Sequence, residues 1–191
     1  MSAYDDEIWE AVPPDSGPPP AHLTRFVRAL GEVGGALDLG CGDGRLTAEL
    51  QAGELTAADV SEVALDRARP RLAGARLVAL EPDTPLPFGD GAFELVLCAE
   101  TLEHVRDTQL LLSEARRVLA PSGRLAVTTP AHGRATGLRA AALGFESVFD
   151  PLSPHLRFYS RRSLVRLLGA MGFAVKTVQR RAGTLLCVAT R

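Results

Sequence analysis

Apolar and polar positions along this chain fall into blocks with two different periods. Runs that are apolar at almost every position occur at 36–39, 55–60, 77–80, 93–98, 125–129, 173–179 and 184–190. Such short continuous runs predict strands buried on both faces. Between them, apolar residues recur three and four apart. Leu23, Phe26, Val27 and Leu30 predict a short helix over 23–30, and similar spacing predicts helices over 62–72, 108–119 and 161–171. Ser61 stands where it can cap the second of these, Pro121 and Gly123 stop the third, and Gly172 ends the fourth. Strands alternating with helices predict an α/β fold with an open, mainly parallel, seven-stranded sheet and helices on both faces. Only residues 180–183 separate the last two strands, too few for a parallel crossover, so the last strand is expected to be antiparallel.

Two stretches break the pattern. Residues 1–21 read as an N-terminal arm, in which Pro13, Pro14, Pro18, Pro19 and Pro20 are expected to forbid a helix and favour extended chain. Ile8 and Trp9 are large apolar groups in that polar arm and are expected to dock on the domain, as an anchor or as a flap over a pocket. Residues 22–191 suit a single domain. Within it, 130–158 is a long link without clear periodicity, which reads as a substrate lid.

The most informative stretch is 36–47, Ala-Leu-Asp-Leu-Gly-Cys-Gly-Asp-Gly-Arg-Leu-Thr. It begins as a buried strand, turns on Gly40, Gly42 and Gly44, and is expected to enter a helix at Arg45. A glycine turn at a helix start offers bare amide N–H groups to a ligand. A nicotinamide or flavin site has the spacing G-x-G-x-x-G and a pyrophosphate on the helix end. Here the spacing is G-x-G-x-G, and Asp38 and Asp43 flank it. Those carboxylates would repel a pyrophosphate and attract a cation, by about 4 kcal/mol at 4 Å with an effective dielectric near 20. The turn therefore suits a positively charged, phosphate-free nucleoside, and S-adenosylmethionine meets that description. Asp59 ends the second strand about twenty residues on, where a carboxylate accepts both ribose hydroxyls, and Glu81, Pro82 and Asp83 open the loop expected to meet an adenine.

Composition narrows the class only a little. No apolar run approaches the ~18 residues that span a bilayer. The first ten residues are acidic, unlike a secretory signal. Cys41, Cys98 and Cys187 are an odd number of thiols in or beside apolar runs, without metal-ligand spacing, which suggests reduced cysteines and a cytoplasmic protein. The net charge of −2 hides an asymmetry. Residues 1–105 hold 7 Arg and 19 Asp or Glu, net −12, and residues 106–191 hold 14 Lys or Arg and 4 acids, net +10. The acidic half suits a cationic cofactor, and the basic half reads as solvated helix faces. Aromatic residues make up only 5% of the chain, which gives no base-stacking platform and favours a small-molecule acceptor over nucleic acid. A monomer or homodimer without membrane attachment is expected.

The segments 36–50, 58–69, 85–105, 113–130 and 155–173 together resemble class I S-adenosylmethionine-dependent methyltransferases, and most of all the group that includes ubiquinone- and menaquinone-biosynthesis methyltransferases. The resemblance runs from about residue 22 to the end and implies the Rossmann-like seven-stranded fold. It also implies that Asp38, Gly40 and Gly42 hold the methionine moiety, with Cys41 and Val60 among the cofactor-binding positions, that Asp59 holds the ribose, and that Glu100 lies beside the sulfonium. The family usually has Gly-Asp before the adenine loop, where this chain has Glu81-Pro82-Asp83.

Methyl transfer needs a dedicated base only where the acceptor must lose a proton. Glu103, His104, His132, His155 and Tyr159 are the candidates, of which Glu103, His104, His155 and Tyr159 stand nearest the expected transfer site. Two further readings stay open. The pattern E-x-x-E-H followed by a distant histidine resembles the metal site of small-RNA 3′-terminal 2′-O-methyltransferases, which would make Glu100, Glu103, His104 and His155 ligands of Mg²⁺ or Mn²⁺. A degenerate fold acting as a binding subunit is the other.

Overall fold

Strand β4 (Phe93–Ala99) shows why the apolar runs become a sheet covered on both faces. Successive side chains on a strand point to opposite faces. Val96 and Cys98 accordingly join one buried cluster, with Leu112, Ala115 and Val118 of α4 (Thr108–Val118) and Leu164 and Leu168 of α6 (Arg161–Ala170). Leu95 and Leu97 join another, with Val27 of α2 (Ala21–Arg28) and Leu30 just beyond it. A third cluster packs Leu65 and Ala68 of α3 (Glu62–Ala68) on Ala57.

The computed structural model describes residues 3–14, 17–146, 148–150 and 152–191. Its seven strands are β1 (Val33–Leu39), β2 (Ala52–Asp59), β3 (Arg76–Ala79), β4, β5 (Leu119–Pro130), β6 (Ala174–Arg181) and β7 (Thr184–Thr190), in the spatial order β3-β2-β1-β4-β5-β7-β6. β7 alone is antiparallel, to β5 on one side and β6 on the other. It is reached through Ala182 and Gly183, whose φ angles of 46° and 88° match a two-residue hairpin turn. The chain winds outward from β1 to β2 and β3, then returns to place β4 on the other side of β1. The carboxyl ends of β1 and β4 therefore flank the crevice where sheets of this kind take ligands.

Four expectations are corrected. The arm contains a helix, α1 (Ala3–Ala11), because its prolines begin only at Pro13 and leave the preceding residues free to coil. The glycine turn runs into a single 3₁₀ turn (Thr47–Glu49), not an α-helix. β5 begins at Leu119, directly after α4, and passes Pro121 and Ser122 with a register shift against β4. The 130–158 link holds a helix, α5 (Arg134–Leu143), which buries no residue and so leaves no apolar period to read.

Candidate functional site

A cavity of about 320 Å³ opens at the carboxyl ends of β1, β2 and β4, the place the topology singles out. A larger hollow of about 460 Å³ lies at the other end of the sheet, around Gly53, Glu54, Arg76 and Phe88, away from the glycine turn and the strand-end acids. The first cavity holds the chemistry. Seven acidic residues line it, Asp5, Asp59, Glu81, Asp83, Glu100, Asp107 and Glu114, against one arginine, Arg106; of the seven, Glu114 is ion-paired with Arg117 and Asp83 with Arg106.

The glycine turn forms the floor, though not as a row of bare donors. Gly40 N and Cys41 N both donate to Ala58 O, at 2.8 and 3.0 Å, Gly42 N donates to Asp59 Oδ2 at 2.8 Å, and Gly44 N donates to Cys41 O at 3.1 Å. These amides are spent inside the turn and cannot wrap a phosphate. What the glycines supply is close approach. A Cβ on Gly42 would lie 2.6 Å from the Trp9 ring, and one on Gly40 would collide with Thr101, and both residues have φ above +50°. Cys41 is buried, and burial among Asp38 and Asp59 pushes its thiol far above the ordinary range.

The acids divide by partner. Asp43 was expected to add to the negative charge at the turn. Instead it is paired with Arg45, 2.7 Å away, and with Arg71 at 3.7 Å, so its charge is offset. Asp38 is 2% exposed, accepts a hydrogen bond from Thr47 Oγ1 at 2.6 Å on Oδ2, and has no partner for Oδ1 among the described residues. Burial, and after it the charge of Asp59, push its pKa up to about 7. Asp59 joins the turn to α3, its Oδ2 on Gly42 N and its Oδ1 on Ser61 N at 3.0 Å. Burial raises its pKa too, against the pull of those amides. Ser61 caps α3 through Ala64 N.

At the other end, Glu100 has a φ of 52°, a left-handed conformation that a side-chain-bearing residue adopts at a cost of about 1–3 kcal/mol. Its amide is held by Thr128 O at 2.9 Å and its Oε1 by Thr128 Oγ1 at 2.8 Å. His104 lines the cavity, with Nδ1 3.1 Å from Pro154 O. Burial, then the neighbouring His155, lower its pKa. Val60, Glu81, Pro82 and Asp83 line the cavity wall, whereas Asp38 and Cys41 lie beneath it. Glu103 is buried behind His104 and does not reach the cavity. Its Oε2 accepts from Thr129 Oγ1 at 2.9 Å, its Oε1 has no partner among the described residues, and burial together with Glu100 pushes its pKa up to about 7.

Two candidate bases stand apart. Tyr159 is a core residue, 6% exposed, whose hydroxyl lies 3.5 Å from Leu102 O and whose pKa burial pushes up to about 12. It braces the segment before α6 and does not face the cavity. His132 packs edge-on against Phe158. The four residues of the metal pattern are not all together. Ligand atoms of Glu103, His104 and His155 lie within 4.8 Å of one another, and Glu100 is not in that group.

One wall was foreshadowed in the sequence only by Ile8 and Trp9. Helix α1 places Tyr4, Asp5, Ile8 and Trp9 over the cavity. Asp6 accepts from Ser61 Oγ at 2.6 Å, Arg67 donates to Val12 O at 2.8 Å, and Arg45 donates to Gly17 O at 2.7 Å, which fastens the helix and the chain after it to the turn and α3.

A family model described as a methyltransferase domain matches residues 37–127. A demethylmenaquinone methyltransferase from Clavibacter sepedonicus is 40% identical over 133 residues, covering 66% of this chain and 49% of that protein. The chain spans about half the length of the curated relatives it matches. A SAM-dependent methyltransferase from Methanosarcina mazei shares the fold with a TM-score of 0.69 at 19% identity, covering 92% of this chain and 99% of that one. The 4+2 cyclase SpnF shares it as well, with a TM-score of 0.72 at 20% identity over 89% of this chain and 80% of its own. The fold is thus shared by proteins of different activity, and the reaction has to be argued from the site.

Proposed function

We propose, from the match of residues 37–127 to a methyltransferase-domain model and from the site itself, that the chain binds S-adenosylmethionine in the acid-lined cavity and methylates a small-molecule acceptor. The observation that carries this reading is the composition of the cavity wall: seven acidic residues, two of them in ion pairs with arginines, and one arginine, over a turn whose amides are already paired. Such a wall repels a pyrophosphate and favours a cationic nucleoside. The buried Asp38 Oδ1 without a partner fits the same ligand, because the cofactor's ammonium would supply the missing donor.

When bound, the cofactor supplies a methyl group on a sulfonium, which is displaced in line. The chain's residues bind and orient. Asp59, its inner lone pairs held by Gly42 N and Ser61 N, keeps its carboxylate fixed at the rim, where its remaining lone pairs can accept ribose hydroxyls. Glu81 and Asp83 line the adenine end. Trp9 lies against Gly42 and covers the turn. His104 lines the acceptor end, and a proton on Nδ1, directed at Pro154 O, leaves Nε2 as an acceptor. Its lowered pKa keeps the ring neutral at pH 7, ready to take a proton from an acceptor hydroxyl or amine. Pro154 and Leu156 carry the 130–158 link to the same end, which supports the link as the acceptor lid.

The test is transfer of label from methyl-labelled S-adenosylmethionine into a low-molecular-mass extract. The reading expects labelled products that disappear with Asp59→Ala. Label found only in protein or RNA would overturn the choice of acceptor, and no cofactor binding by calorimetry would overturn the reading itself.

A further inference from the structure

Opposite in character to the acid-lined cavity, the link from β5 to α6 carries an apolar and basic surface that cofactor binding does not account for. Six of the eight exposed large apolar residues among the described residues stand on it: Leu138, Leu143, Phe145, Leu152, Leu156 and Phe158. Helix α5, which carries the first two, buries nothing. A single exposed leucine is ordinary on a protein surface, but six such side chains on one link mark an interaction site.

The link is held from beneath. Ala131 N donates to Gly183 O and His132 N to Tyr159 O, both at 2.7 Å. The rings of Phe149 and Phe158 meet with centroids 4.6 Å apart, those of Phe145 and Phe149 at 4.8 Å, and those of His132 and Phe158 at 4.9 Å. These rings are the link's own small core. Leu138 and Leu152, 71% and 88% exposed, stand out into solvent.

The charge around the link is one-sided. Residues 131–181 hold nine Lys or Arg against two acids, net +7. None of the nine forms an ion pair among the described residues. Arg134 and Arg139 are exposed on α5, Arg161 and Arg162 at the start of α6, and Arg180 and Arg181 before the last hairpin turn. Backbone contacts bring those elements to the base of the link. Gly183 of the hairpin holds Ala131, and Tyr159, whose carbonyl holds His132, directly precedes the cap of α6. Burial, then His155 and Arg180, lower the pKa of His132, so Arg180 lies near that ring.

We propose that this surface docks on an anionic lipid bilayer, with the exposed leucines and phenylalanines entering the interface and the surrounding arginines meeting lipid phosphates. Interfacial binding grows with the apolar area buried and with the attraction between basic groups and anionic lipid. A second copy of the chain is a poor occupant, because the same face brought against itself would set like charges together. A nucleic acid is a poor one too, since four of the six exposed apolar residues are leucines and bases stack on rings. A protein partner would need a matching pocket for each protruding side chain, whereas a fluid hydrocarbon phase needs none. The sequence predicts no membrane attachment because it lacks a long apolar run, but interfacial docking uses separated positions and asks for no spanning helix. Leu156 belongs both to this surface and to the cavity wall, so docking sets the link's end of the cavity against the lipid.

Flotation of the full chain, without cofactor, tests this with vesicles of equal parts phosphatidylcholine and phosphatidylglycerol, beside vesicles of phosphatidylcholine alone. The chain should float with the anionic vesicles only. Raising the salt to roughly 1 M, where the Debye length is about 3 Å, should weaken binding more than about tenfold. The double variant Leu138→Ser/Leu152→Ser should weaken it more than about tenfold through the apolar area lost from the interface. Arg161→Glu/Arg162→Glu should do the same, and acids in the first turn of α6 suit its N-terminus, so the fold is kept. Neither variant should lower the melting temperature, since all four residues are exposed. No flotation with anionic vesicles, equal flotation with both kinds, or wild-type flotation of either folded variant overturns the proposal. A wild-type dimer that the leucine variant dissociates assigns the face to a second copy and overturns it as well. Each of these failures leaves the methyltransferase reading standing, because the measurement involves no cofactor.

Discussion

Asp38 concentrates the conflict between stability and function at the scale of one residue. Its pKa is about 7 in the folded chain against an ordinary 3.8. Between those values the folded chain keeps a proton that the unfolded chain has lost. The group therefore makes the ligand-free protein less stable as pH rises through that window, and the loss is complete above about pH 7. Asp38→Asn should raise the melting temperature at pH 8, by a stabilisation of up to roughly 4 kcal/mol, and change it little near pH 4. The same substitution should weaken S-adenosylmethionine binding by about 1.5–3 kcal/mol, the worth of a hydrogen bond to a charged group. Wild-type affinity should rise between pH 6 and pH 8 as Asp38 ionises, and the variant's should not. Calorimetry and thermal denaturation on the pair measure both effects. Asp38 and Asp59 are readable in the sequence because each is an acid at the end of an apolar run. The pairing of Asp43 with Arg45 and Arg71, the unpartnered oxygen of Glu103 and the burial of Tyr159 are not, because each depends on what the folded chain brings alongside.

At the scale of elements, α1 and the loop before β4 decide how well the cavity is closed. Trp9 is the only tryptophan and lies on Gly42. Gly42→Ala would put a methyl group 2.6 Å from that ring at a residue with φ of 55°. It should lift Trp9 into water, shift its fluorescence to the red, and lower cofactor affinity about tenfold, or roughly 1.4 kcal/mol. An unchanged emission spectrum would mean that α1 does not rest on the turn in solution. The loop is held from α4. Arg117 pairs with Glu114 at 2.7 Å and Asp90 at 2.8 Å and donates to Leu86 O and Phe88 O, while Glu114 accepts from Leu86 N. Arg117→Ala should destabilise the protein by about 1–3 kcal/mol, read as a lower denaturation midpoint, since it leaves those carbonyls without their donor and Glu114 without its cation. The strands were legible because the centre of a parallel sheet demands apolar residues on both faces, as Leu95 to Cys98 show. Helix α1 was not, because it is a short helix ending at Ala11, just before a proline-rich stretch that favours extended chain. Helix α5 was not, because a helix that buries nothing carries no period.

For the whole molecule, the charge asymmetry along the chain becomes an asymmetry in space. The acidic half supplies five of the seven cavity carboxylates, Asp5, Asp59, Glu81, Asp83 and Glu100, while Asp107, Glu114 and Arg106 come from the basic half. The antiparallel last strand followed from a link too short for a crossover, and the structure turns it on Ala182 and Gly183. Strand order could not follow from local pattern, because nothing in a strand's own residues says which neighbour it will pair with. What the order does is set the glycine turn and Glu100 on the two sides of one crevice, and the acids around it give that crevice its preference for positive charge.

That preference is the central claim, and competitive calorimetry tests it most directly. S-adenosylmethionine and NAD are titrated separately and then together into the ligand-free chain at low and high salt. The account predicts one equivalent of S-adenosylmethionine bound, more weakly at high salt, with no heat from NAD and no displacement by it. Saturable NAD binding at the glycine turn, or an S-adenosylmethionine affinity indifferent to Asp38→Asn and to salt, would contradict it.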